Sequence, residues 1–376
     1  MSDRSAGGVG KAPRLEDVAQ LAKVSKATAA RALNGSDLVT TSTRDRVLTA
    51  ANALNYRVNG LARAMSAGES RTIGLVIADI SNSFFDRATR AIIDTAAKHD
   101  YQVLVINTDD NLDAEAQAVR VLLEKRVDGM IVVPSSRTKY GHLISSTGPL
   151  IPLVLLDRRI PDLTVGTVTT DDYSSAVEAV RLFASRGHTR LGMLVNSADH
   201  REVDGDDPNG TVSTIFDRVS GFRAGLAEFD LLDEPTWIRY SRHDHRHAVS
   251  VARELLSTPG GPTAILTTNA DAALAVIDAC NELHLALGGK IGLVSFDDAP
   301  WAQVFRPSIS VVDRPVYALG QAAVETLLAQ LQNRGAPVRS REMRNTLIDR
   351  DSVGYVGPPV PPHRSAPDSG DLSPSG

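Results

Sequence analysis

RLEDVAQLAKVSKATAARALNGSDLVTTSTRDRVLTAANALNYRVNGLARAM, residues 14–65, is the stretch whose periodicity decides the amino-terminal fold. Leu15, Val18, Ala19 and Ala22 recur at the helical period and give one short helix an inward face, as Ala29, Ala32 and Leu33 do for a second. Val24 and Ser25 form the tight turn between them, and Ser25 is placed to accept from an exposed backbone N–H of the second helix. A third helix over about residues 41–54, capped by Thr40, is predicted to bury Val47, Leu48, Ala51 and Leu54. Two short helices joined by a tight turn make a helix-turn-helix, whose second helix fits a DNA major groove.

Outward from this head the pattern changes. From residue 72, apolar runs that suit buried strands (72–77, 102–107, 129–133, 153–156, 191–195, 263–266 and 291–295) alternate with helical stretches such as Phe85, Ala88, Ile92, Ala96 and Ala176, Val180, Phe183. Alternation of this kind builds parallel, doubly wound α/β sheets. About ten strands exceed what one such sheet comfortably holds, so two lobes with a cleft between them are expected, with ligands outside the carboxyl ends of the strands. Gly357 to Gly376 hold six Pro, three Gly and four Ser, a composition that favours disorder. The expected organisation is a flexible start (1–13), a DNA-binding head (14–58), a hinge and linker (59–70), a two-lobed sensor (71–355) and a disordered tail (356–376).

Charge is divided along the chain in the way this organisation requires. The whole is −5, yet residues 1–70 carry ten Lys or Arg against six Asp or Glu, leaving a +4 head on a −9 body. The basic end is drawn to phosphates while the acidic body is kept off them. A single cysteine, Cys280, forms no internal disulfide and lies in an apolar run, as a buried helix residue would. The start MSDR lacks an apolar signal region and no apolar run approaches the length of a membrane span, so a cytoplasmic protein with no membrane partner is expected. The segment GGVGK at residues 7–11 lacks the first glycine of a phosphate loop, with Ser5 in its place, and no strand precedes it.

The ordered strings DVAxxAxVSxxT (17–28), RxLN (31–34), VxxxTRxRV (39–47), LNY (54–56) and NxLAR (59–63) resemble the head of the lactose-repressor (LacI/GalR) family. TIGLVIADISNSFF (72–85), GLVSFDD (292–298) and LIDRDS (347–352) extend the resemblance over nearly all of residues 14–353. It implies an all-α helix-turn-helix head plus α/β lobes similar to periplasmic binding proteins. It also implies a sequence-specific transcriptional repressor, a homodimer on a pseudo-palindromic double-stranded operator, controlled by a small-molecule effector, most often a sugar or sugar derivative.

By matching positions, the resemblance puts base reading on Lys26, Ala27 and Arg31. Lys26 and Arg31 can donate to guanine or hold a phosphate, and Ala27 can touch only an apolar group such as a thymine methyl. Ser25, Thr28, Asn34, Thr40, Tyr56 and Asn59 would hold the DNA backbone, with Arg63 beside them. Asn59 to Met65 match a hinge helix laid in the minor groove, Met65 standing where the family has a leucine wedge or else packing as an interface residue. Lys23 replaces the family's turn glycine, Val58 its proline, and Gly60 a better helix former. The implied effector residues are Phe84, Phe85, Asp157, Arg158, Arg218, Asn269 and Asp297, each in a βα loop except Arg218, which leads into a helix. Phe85 also reads as core and Asp297 as a loop cap.

An enzyme is not expected, because no GxSxG elbow, phosphate loop or paired-carboxylate motif is present, and no cofactor is implied. His243, His245 and His247 alternate in a polar stretch and read as a solvated turn in preference to a metal site. A free-standing solute receptor would need a secretion signal and no basic head. Residues 197–217 form a long acidic loop whose role the sequence does not indicate.

Overall fold

A computed structural model describes residues 13–33, 36, 38–56, 69–197, 212–234, 237–333 and 339–363. The chain divides into a head, Met1–Arg71, and a body, Thr72–Gly376. Asn34, Asn59, Arg63 and Met65, with the whole hinge segment 59–65 and most of the acidic loop, lie outside the described residues.

The head contains α1 (Leu15–Leu21), α2 (Lys26–Leu33) and α3 (Thr41–Ala53). Val18, Ala19, Ala22, Ala29, Ala32, Val47, Ala50 and Ala51 form its core, with Leu15, Leu33, Leu54 and Tyr56 packed around it. Small side chains let the three helices approach closely. Leu48 is 43% exposed, contrary to expectation, and Ala50 takes the buried place. The buried set 47, 50, 51 and 54 is one helical stripe, and Leu48 lies about 100° off it. Ser25 Oγ does accept from Thr28 N–H at 3.1 Å. Thr40 is the N-cap of α3, but its hydroxyl donates to Thr43 Oγ1 at 3.0 Å and makes no bond to the helix backbone.

The body holds two six-stranded sheets and a small antiparallel pair, β4 (Ile144–Ser145) and β5 (Gly148–Pro149). In the first, with order β13-β7-β6-β3-β1-β2, all strands are parallel: β1 (Thr72–Ile77), β2 (Gln102–Asn107), β3 (Gly129–Val132), β6 (Leu153–Leu156), β7 (Gly166–Thr170) and β13 (Arg341–Met343). Ile73, Leu75 and Ile77 face α4 (Ser83–Ala97) and α11 (Val316–Gln332), while Val76 faces α5 (Leu112–Glu124) on the other side. Burial on both faces is why such strands read as continuous apolar runs.

The second sheet, β14-β12-β11-β10-β8-β9, comprises β8 (Leu191–Asn196), β9 (Ile238–Ser241), β10 (Ala264–Thr267), β11 (Gly292–Phe296), β12 (Ser310–Asp313) and the antiparallel edge β14 (Thr346–Ile348). One face packs on α6 (Asp172–Ser185) and α7 (Ser213–Glu228), the other on α8 (His245–Ser257), α9 (Ala270–Glu282) and the short α10 (Pro300–Val304). Helices α6 and α7 cross so closely that a Cβ on Gly221 would lie 2.2 Å from the Tyr173 carbonyl oxygen. Cys280 is buried on α9, and burial pushes its thiol up to about 11.

Neither lobe is a continuous piece of chain. The backbone crosses between the sheets after β7, after β12 and between β13 and β14, so α11 and β13 return to the first lobe. The short strands β7, β9, β12, β13 and β14 were not among the expected runs. Residues 356–363, expected to be disordered, are instead tied to the second lobe: Val356, Val360 and His363 donate backbone hydrogen bonds to the Arg186, Ala184 and Glu228 carbonyls at 2.9, 3.0 and 2.7 Å.

Candidate functional site: an exposed head helix and an inter-lobe cleft

On the head, Lys26, Ala27 and Arg31 are exposed on α2, Ser25 is exposed just before it, and Thr28 is half-buried. In the free head Lys26 Nζ is held 2.6 Å from Glu16 Oε1, which lowers the Glu16 carboxyl below its ordinary range. Both side chains are solvent-exposed, so the pair is weak and a nucleic-acid phosphate or base can displace it. Tyr56 packs its ring against the head core, and Thr40 is exposed beside the start of α3. Lys23 adopts φ 53°, the left-handed conformation for which a glycine is suited.

In the body, a cavity of about 490 Å³ opens between the lobes, and all seven expected effector residues line it. Phe84 and Phe85 lie in the first turn of α4 and not in the preceding loop, because Asn82 Oδ1 caps that turn by accepting from Phe84 N–H at 2.9 Å. Their rings meet edge to face, 5.0 Å between centroids, and both belong to the core as well as to the cavity wall. Arg218 lies inside α7 and does not merely lead into it. Asn269 spends its Oδ1 capping α9 through Ala272 N–H at 2.8 Å, which leaves its amide nitrogen for a ligand.

Asp157 and Asp297 directly follow β6 and β11, the matching strands of the two lobes. Between them stands Arg314, which follows β12 at the second crossing and had not been expected in the site. Arg314 hydrogen-bonds to Asp157, sits 3.5 Å from Asp297 Oδ1 and 3.7 Å from Asp172 Oδ1, and stacks 3.8 Å over the Phe84 ring centroid. Burial alone would lower its guanidinium, but Asp157, Asp172 and Asp297 outweigh this and raise it. Arg158 makes a two-pronged bond to Asp110, and Arg218 Nε donates to Asp172 at 3.0 Å while Nη1 donates to the Thr268 carbonyl at 2.5 Å. Burial tends to raise Asp172 and Asp110, but the facing arginines prevail and hold both carboxyls low. For Asp297 burial wins, and its carboxyl is pushed up despite Arg314.

Arg314, Asp172, Asp110, Asn196 and His243 are therefore site residues that the sequence reading missed. One signal was available for Arg314: Asp-Arg follows the apolar run ending at Val312, as Asp157-Arg158 follows the run ending at Leu156. The three alternating histidines diverge. His243 Nε2 lies 3.6 Å from Asp110, His245 Nε2 lies 2.8 Å from Asp278, and His247 Nδ1 accepts from Arg242 N–H at 3.2 Å.

A helix-turn-helix head on a two-lobed body with a polar, buried inter-lobe cleft defines a ligand-sensing transcription regulator. The sequence profile of bacterial regulatory proteins of the lacI family matches residues 14–59, and that of the periplasmic binding protein-like domain matches residues 180–353. The chain is 28% identical over 342 residues to the HTH-type transcriptional repressor CytR of Escherichia coli K12, covering 91% of this chain and 96% of that one. With the repressor PurR of Aliivibrio salmonicida it shares 26% over 339 residues, covering 90% and 98%. Among solved structures, the lac repressor dimer bound to operator and an anti-inducer aligns with TM-score 0.77 at 22% identity, covering 92% of this chain and 100% of that one. A protein from Burkholderia thailandensis solved as a candidate ribose operon repressor aligns with TM-score 0.64 at 28% identity, covering 74% and 98%. The chain belongs to the LacI family and is a DNA-binding transcriptional regulator, not an enzyme. Among the described residues, no helix is long and apolar enough to cross a membrane.

Proposed function

We propose that this regulator binds a pseudo-palindromic operator as a cytoplasmic homodimer and represses transcription, and that a sugar or sugar derivative held in the cleft controls its affinity for DNA. The observation that carries the reading is the placement of Asp157 and Asp297 on opposite lobes around one cavity, with Phe84 and Phe85 forming an apolar wall. Carboxylates accept from hydroxyls and flat aromatic faces suit the C–H face of a sugar ring. Lys26, Ala27 and Arg31 read bases, while Ser25, Thr28, Asn34, Thr40, Tyr56, Asn59 and Arg63 hold the backbone and Met65 wedges a minor-groove step. A relative in Haemophilus influenzae is named a ribose operon repressor, and a regulator of like fold has been solved as a cellobiose complex.

Linkage requires that effector and operator alter each other's affinity by one shared factor, commonly worth about 1–3 kcal/mol. A thermal-shift screen against sugars, nucleosides and sugar acids, followed by operator titration with each hit, tests this. A compound that stabilises the protein and shifts operator affinity several-fold is expected. Cleft-bound compounds that leave operator affinity unchanged would reduce the lobes to a dimerisation scaffold.

A further inference from the structure

The charge of the cleft carries more than its shape. Each of its three arginines is already committed: Arg158 to Asp110, Arg218 to Asp172, and Arg314 to Asp157, Asp172 and Asp297. Four carboxylates thus face three guanidiniums, and all seven side chains are at most 10% exposed. Lys139, the remaining cation of the wall, is exposed to solvent, where water and salt screen it. The cavity therefore has no uncompensated buried cation among the described residues to receive a phosphate or carboxylate.

Its unsatisfied groups point the same way. Among the described residues of the cavity wall, Asn196 Oδ1 is a buried acceptor and Ser135 Oγ a buried hydroxyl without a hydrogen-bond partner, whereas Arg158 Nε and Arg218 Nη2 face Asp157 at 3.8 Å and Asp172 at 2.8 Å. Buried polar atoms of both kinds are costly to leave unmade, and the group that satisfies both is a hydroxyl, which donates and accepts. A phosphate dianion accepts only, and it would leave Asn196 Oδ1 unanswered.

We propose that the cleft selects uncharged polyhydroxy effectors and rejects their phosphorylated or carboxylated forms, with Arg314 the specificity residue that keeps the aspartates of both lobes paired. The proposal rests on the cleft being the effector site and adds the ligand's charge class. Arg314 follows β12 where the backbone crosses between the lobes, so it compensates acids of both at once. A ligand phosphate placed near Asp157 or Asp297 would meet no free guanidinium to offset it.

The test uses matched pairs on the full chain: D-ribose and ribose 5-phosphate, D-glucose with glucose 6-phosphate and glucuronate, adenosine and adenosine monophosphate. Melting shifts identify binders and calorimetry ranks them. At least one uncharged member is expected to bind, with its anionic counterpart weaker by about 100-fold or more, the scale of an unpaired buried charge. An anionic member that binds as tightly as its uncharged partner overturns the proposal, as does a panel in which no uncharged member binds. Operator titration separates this failure from failure of the sensor reading: an anionic binder that shifts operator affinity preserves the sensor and removes only the charge rule. Asp110→Asn supplies a second arm, because it frees Arg158 at the cavity wall and should raise affinity for the phosphate members at least several-fold. Unchanged phosphate affinity in a folded Asp110→Asn protein counts against the proposal.

Discussion

Asp157 and Asp297 occupy the same place in the two lobes, each directly after a buried parallel strand and each in the left-handed conformation, with φ 68° and 72°. Their backbone N–H groups donate to the matching carbonyls of the next strand, Val168 at 2.8 Å and Val312 at 3.0 Å. Positive φ costs about 1–2 kcal/mol at a non-glycine residue. At both positions it turns the carboxylate from the strand end into the cavity, where Arg314 meets it.

Asp297→Asn should make the protein more stable and a poorer sensor. Burial raises the Asp297 carboxyl, so the native state binds its proton more tightly than the unfolded chain does. Such a group stabilises the fold below the ordinary carboxylate range of about 4 and progressively less as pH rises toward the native value. Removing the charge is expected to gain about 1 kcal/mol at pH 7 and to weaken effector binding. Denaturant unfolding at pH 4 and 7 checks it, and a loss of stability at pH 7 would contradict it.

Asp172→Asn should act in the opposite sense. Asp172 is held low by Arg218 and Arg314, and it also accepts from Thr170 and Asn345. Its contribution is present above the ordinary carboxylate range and lost as pH falls below about 4 through the depressed native value. Leaving two buried arginines short of a partner should cost about 3–5 kcal/mol at pH 7. Equilibrium unfolding that shows less than 1 kcal/mol, on the order of an exposed pair, would mean the cluster is solvated in solution.

Lys23→Gly should stabilise the head. Lys23 is exposed at φ 53°, and its N–H donates to the Gln20 carbonyl at 3.2 Å, a bond glycine keeps. Relief of the left-handed cost, about 1 kcal/mol net of the greater freedom of an unfolded glycine, is expected. Hydrogen exchange of the α1 and α2 amides measures it directly.

On DNA, Arg31→Ala should cost about 1–3 kcal/mol at the operator and relax preference at one base position, with little change on random sequence. Equal losses on both would reassign Arg31 to a phosphate. Glu16→Gln should instead tighten binding to all sequences, since it releases Lys26 and removes an anion near the phosphates. Mobility shifts at two salt concentrations distinguish the two effects.

Much of the cleft was legible residue by residue, because its ligands follow apolar strands at strand-to-helix junctions and those junctions are visible as changes of period. What the one-dimensional pattern did not carry was pairing. Arg158 and Arg218 read as free hydrogen-bond donors for an effector, yet Asp110 lies 48 positions from the first and Asp172 lies 46 from the second, and each has taken its arginine. Asn269 read as a ligand group, and half of its amide is a helix cap.

The sequence by itself determined the class of protein: an alanine-rich helix-turn-helix with a capping Ser25, a +4 head on a −9 body, and strands buried on both faces, all of which are properties of local composition and period. Tertiary structure alone decided how the lobes are assembled and what the cleft can hold. Strands as short as Arg341–Met343 and Thr346–Ile348 have no periodic signal of their own and form because neighbours supply their hydrogen bonds. The charge state of the cavity likewise depends on Arg314 meeting Asp157, Asp172 and Asp297, residues from three separate stretches of chain brought together only where the backbone crosses between lobes.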